Sequence, residues 1–201
     1  MKKPHDGSDM GTLRERAKRY GIELEPSALE DRILKQGERL VLSSAPGQHC
    51  KDGPTHVLET DDLDQVKQWI GVPDTVAEQR CCRPARAASR GWLLHAKNEV
   101  TLARSAKRAD PDFVHRLAHE YIYGDSRRVT AYKPLIERFY GRFKIPNWLF
   151  QNIVVGPGAV LEFNTSNPVV LLANRIEIAA TGRIVSHSSL NVDCVNVQQM
   201  T

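Results

Sequence analysis

The tail of this chain, residues 147 to 201, carries an internal period, and a period restricts a fold more than composition does. Laid on itself with a shift of about 24 residues, of the order expected for repeat folds, it brings Val154 onto Ile178, Gly158 onto Gly182, Val160 onto Ile184 and Leu161 onto Val185. Further along, Val170 falls on Cys194, Leu171 on Val195 and Ala173 on Val197. Each copy consists of short β-branched runs cut by turn residues, which is strand chemistry. Ile153-Val154-Val155 runs into Gly156-Pro157-Gly158 and then Val160 to Phe163; Ile176-Glu177-Ile178 runs into Ala180-Thr181-Gly182 and then Arg183-Ile184-Val185. A unit of this size with three short strands cannot bury its apolar face alone, so the copies are expected to stack.

The phrasing ANRIEIAATGRIVSHSSLNV, residues 173 to 192, resembles the coils of a parallel β-helix of the filamentous-haemagglutinin type. That resemblance covers the C-terminal quarter of the chain and implies a short β-solenoid there. An antiparallel sandwich fragment would show the same alternation of Val and Ile with Gly turns.

Upstream the signals are helical. Thr12 with Glu15, and Ser27 with Glu30, have capping-box spacing. Leu29, Ile33 and Leu34 share a helical face that would end near Gly37, and Leu40-Val41-Leu42 suits a strand. Asp61 or Asp62 caps a helix with Leu63, Val66, Trp69 and Ile70 on one face. Asp110-Pro111-Asp112 is the strongest helix start, running to Gly124, and Pro134 opens a further helix that Gly141 closes. The fold class expected is therefore α+β: a polar, disordered stretch over 1–11, a mainly helical domain over 12–146, and a β-helix-like repeat over 147–201. Trp148 and Phe150 would join the last two, with the helices covering the first coil.

Hydrophobic content of 41% and charged content of 26% belong to globular proteins, and the apolar runs fall short of the ~18 residues a spanning helix needs. The N-terminus is basic with no apolar stretch behind it, so no secretory leader is expected and a cytoplasmic location follows, leaderless export aside. Cys50, Cys81, Cys82 and Cys194 are too irregularly spaced for a zinc finger and suit reduced thiols.

Three constellations bear on function. His115 and His119 stand four apart on one helical face, the spacing that holds a zinc ion. Their order, H-x-x-x-H-E through Glu120, does not reproduce the zinc-protease arrangement, and a third ligand would have to come from His95 or Glu99. Between Arg80 and Arg108 eight basic residues stand against Glu99 alone, with Arg83, Arg86, Arg90, Arg104, Lys107 and Arg108 forming the patch that could meet nucleic acid. No stacking aromatics interleave them, and the net charge of the whole chain is only +4. No nucleophile elbow or phosphate-binding Gly-rich loop occurs, so neither catalytic residues nor a cofactor are expected.

The third constellation is the last coil, where Val192, Cys194, Val195 and Val197 would present an uncovered strand edge, a template for another strand. The function expected is that of a non-enzymatic structural or interaction protein joined there to a second copy or a protein partner. The alternatives are a metal-dependent hydrolase on the histidine pair and a basic nucleic-acid-associated protein.

Overall fold

A computed structural model of the chain describes residues 13–24, 29–44, 54–79 and 110–200. In chain order these form α1 (Leu13–Arg19), β1 (Arg32–Leu34), β2 (Arg39–Ser43), β3 (His56–Thr60), α2 (Leu63–Ile70), α3 (Asp74–Gln79), α4 (Pro111–Tyr123), α5 (Lys133–Tyr140), β4 (Phe143–Val155), β5 (Val160–Asn164), β6 (Val169–Ala179), β7 (Arg183–Ser186) and β8 (Leu190–Met200). They fall into two compact units, one made of the described residues up to Leu58 together with those from Ile145 on, the other of Glu59–Lys144.

The first unit overturns the expected fold class. Strands do not wait for residue 147; they begin at Arg32, and β1, β4, β6 and β8 lie side by side in one sheet, with β3 also paired to β4, while β2, β5 and β7 form a second. The pairings β1–β4, β4–β6, β6–β8, β2–β5 and β5–β7 are parallel. The segment expected to be a helix around Leu29, Ile33 and Leu34 is instead strand β1, because Arg32, Ile33 and Leu34 pair with Ile153, Val154 and Val155. A segment this short, Arg-Ile-Leu, suits a helix face or a strand equally, and here the available ladder decides it. The chain is thus a parallel-sheet core with a few helices, not a helical domain followed by a C-terminal solenoid.

The period is real but its length differs from the one read in the sequence. From β4 to β6 each residue pairs with the one 23 places on, Asn147 with Val170 through Val155 with Ile178, and β5 pairs with β7 at the same offset, Leu161 with Ile184. From β6 to β8 the offset is 21, Leu171 meeting Val192 and Ala173 meeting Cys194. A one-residue slip reverses every side chain in a strand, so Val154 pairs with Glu177 rather than Ile178, and both face away from the core.

The core lies between the two sheets. Trp148, Phe150, Ile153 and Val155 of β4 meet Leu161 and Phe163 of β5, with Leu34, Leu42, Leu171, Ala173 and Ile176 from the neighbouring strands. Trp148, expected to join a helical cap, is 1% exposed inside this core, its ring 5.3 Å from that of Phe163 and edge-on. Inward positions along β4 run 148, 150, 153, 155: the alternation skips a place, and residue 151 falls out of the ladder together with 174. The ladder of the long sheet is interrupted at that point.

The tight turns stack as the strands do. Gly37 and Gly158 both adopt the left-handed region, φ +71° and +68°, where a side chain would be strained. Gly156 N donates to Leu34 O at 2.9 Å, Gly37 N to Pro157 O at 2.9 Å, and Gly158 N to Thr181 Oγ1 at 2.8 Å. Helix α1 packs on β6 and β8, burying Leu13 and Ala17, and Tyr20 just past its end is buried as well.

The second unit is helical. Asp62 and Asp110 each cap a helix as expected, accepting from Asp64 N and Asp112 N. Lys67 Nζ closes the end of α4, donating to Tyr121 O and Gly124 O at 2.8 Å each, beside Asp74 at 3.0 Å. Among the described residues, no helix is long and apolar enough to cross a membrane.

Candidate interaction surface

Parallel in-register stacking lines up the inward side chains in columns across β4, β6 and β8: Trp148–Leu171–Val192, Phe150–Ala173–Cys194, Ile153–Ile176–Val197 and Val155–Ile178–Gln199. In the first column exposure runs 1%, 0%, then 40%, and in the third 0%, 1%, then 58%. The interior therefore opens to solvent at β8, while at the far side of the same sheets Leu34 and Leu42 are 2% and 0% exposed. The outer edge of β8 carries no paired strand among the described residues. Val192, Cys194, Val195 and Val197, the interface residues expected from sequence, all lie on this strand. Val195 drops out of the ladder at the same place, since Ala173 pairs with Cys194 and Arg175 with Asn196. Burial raises the Cys194 thiol above its ordinary pKa, and the thiol forms no disulfide.

β8 is also firmly held. On its outward side Asp193 accepts from Arg16, from Arg19 at 2.8 Å and from Tyr20 Oη at 3.3 Å, and burial together with that carboxylate pushes the Tyr20 phenol up. The single charge of the edge strand is neutralised by α1, so no free lysine, proline or carboxylate guards the edge in the manner usual for natural sheets. Sequence reading missed this clamp; a heptad-like spacing of Arg16, Arg19 and Tyr20 identifies a helix face without naming a carboxylate more than 170 residues away.

The second sheet holds another polar cluster that sequence did not indicate. Glu162, 7% exposed, accepts from Arg39 Nε at 2.9 Å and Nη2 at 2.5 Å, and its other oxygen lies 2.9 Å from His187 Nε2. Those bonds, the histidine's first and the arginine's second, hold the carboxyl below the ordinary glutamate range.

His115 and His119 lie on the exposed side of α4. His115 Nδ1 is hydrogen-bonded to Tyr140 Oη and its ring packs edge-on to Phe139, while the His119 ring stands 5.0 Å from that of Tyr123. No group of three His, Cys, Asp or Glu side chains placed to hold a metal occurs among the described residues. The basic residues Arg83, Arg86, Arg90, Arg104, Lys107 and Arg108, and with them His95 and Glu99, lie outside the described residues.

An open cavity of about 730 Å³ in the helical unit is lined by Asp62, Lys133, Glu137 and Arg142 among others. Its charges answer one another: Lys133 Nζ is 2.8 Å from Asp62 and 2.6 Å from Asp64, and Arg142 is 3.1 Å from Glu59.

No family model, no curated protein and no solved structure matches the chain. The resemblance of the C-terminal quarter to filamentous-haemagglutinin coils is thereby corrected: no family is found, and the strands of these sheets are spread from residue 32 to 200 rather than confined to the tail.

Proposed function

We propose that this chain is a non-enzymatic interaction protein whose outermost strand, β8, receives a β-strand from another polypeptide. The observation that carries the reading is the opening of the core at β8, where Val192 and Val197 continue buried columns yet stand 40% and 58% exposed. A strand 11 residues long, with no further strand paired to its outer edge among the described residues and a half-exposed apolar row, is the surface used in strand addition: the main chain supplies affinity and alternate side chains supply selectivity. A charge placed in that row would have to be desolvated on pairing.

Val197→Lys tests this. Because Val197 is already exposed, the folded chain should change in stability by no more than about 0.5 kcal/mol, while association measured by analytical ultracentrifugation should be lost. A wild-type chain that sediments as a monomer at high concentration, and from which no other polypeptide is recovered bound in a manner sensitive to Val197→Lys, would overturn the reading.

A further inference from the structure

We infer that the strand received by β8 is the β8 of a second copy, paired antiparallel about a two-fold axis through the Val195–Asn196 bond. The inference rests on the strand-addition reading above and names its occupant.

Two observations point there. The first is the inequality of the two sides of the sheets: Leu34 and Leu42 are closed off at 2% and 0% exposure, Val192 and Val197 open. Head-to-tail stacking would need an open core on both sides and would propagate without limit, whereas joining like to like closes after two copies.

The second is the spacing of inward positions on β8. They fall at 192, 194, 197 and 199, as their partners 171, 173, 176 and 178 require, so the gaps run two, three, two and read the same in either direction. Antiparallel pairing centred on the Val195–Asn196 bond sets Val192 opposite Gln199 and Cys194 opposite Val197 in both halves. It also sets the ladder break of one copy against that of the other. A slip of one residue would place core-facing Val197 against outward-facing Asp193 and put the two faces out of phase along the whole strand. The same register sets Asp193 opposite Gln198, so the two aspartates never face each other.

Cysteine pairs test the register on the full chain with Cys50, Cys81 and Cys82 changed to Ser. Directly opposite residues in antiparallel strands have Cβ atoms about 4.5–5.5 Å apart, close enough for a disulfide after slight adjustment. Val197→Cys should therefore join Cys194 of the other copy under mild oxidation, giving a covalent species of twice the mass that Cys194→Ser abolishes. Cys194 by itself should give none, since its counterpart lies three residues along the partner strand, ~10 Å away and beyond the ~7 Å reach of a bridge. Should Val197→Cys fold poorly, Val192→Cys with Gln199→Cys in a Cys194→Ser background reads the same register at the outer pair. Self-association without either cross-link, or a mass that keeps growing with concentration, would overturn the two-fold pairing while leaving strand addition intact. A monomer at every concentration would overturn the pairing of two copies and leave strand addition to a different polypeptide.

Discussion

Individual side chains on the second sheet do work that no local pattern announces. Glu162 stands in a strand between hydrophobic neighbours, and its charge is kept because Arg39 and His187 reach it from two adjacent passes of the chain. Its carboxyl is held below the ordinary value of 4.5, so the stability it contributes is present in full above that value and is lost as pH falls through the lower folded one. Glu162→Gln should thus lower the melting temperature near pH 7 and flatten its fall between neutral pH and the acid side of pH 4.5. Thermal melts across that range check it; parallel curves for the two proteins would show that Glu162 is not held by these contacts. The partners lie 123 residues before it and 25 after it, a distance in sequence over which spacing carries no information. His115 and His119 illustrate the converse: their spacing is plain in the sequence, and their aromatic neighbours are not.

At the scale of elements, the turns decide how closely successive passes approach. A Cβ added at Gly156 would lie 2.7 Å from Leu34 O, and one at Gly182 2.8 Å from Val155 O; in both cases the obstacle is backbone and cannot swing aside. Gly156→Ala should therefore destabilise the unit by about 1–3 kcal/mol, the cost of forcing atoms into a filled space, as read by urea denaturation. An unchanged midpoint would mean that the β1–β4 stacking is looser than described. The strand runs and Gly turns of the tail were legible from β-branching and glycine placement, as were the caps at Asp62 and Asp110. β1 was not: three residues lack a period of their own, and its identity comes from the strand it pairs with.

For the whole molecule, association at β8 links folding to concentration. If two copies share an edge, the melting temperature of the wild type should rise by roughly 2 °C or more for each tenfold increase in protein, and that of Val197→Lys should stay level. Scanning calorimetry over two decades of concentration separates these outcomes, and a level wild-type curve would count against association. The histidine pair makes no comparable demand, being engaged with Tyr140, Phe139 and Tyr123.

By itself the sequence determined that the tail repeats, that the repeat is made of strands, and that its last strand is uncharged but for Asp193. Those properties are written locally, in β-branched runs, glycines and the period of the apolar residues. Only the tertiary structure decided that Arg32–Leu34 and Arg39–Ser43 belong to the same two sheets, that the offset is 23 and then 21 rather than 24, and that Asp193 is bound by α1. Register is set by which backbone groups meet and which faces are buried together. Apolar residues one place apart look alike in a one-dimensional comparison, but in a pleated sheet they point in opposite directions.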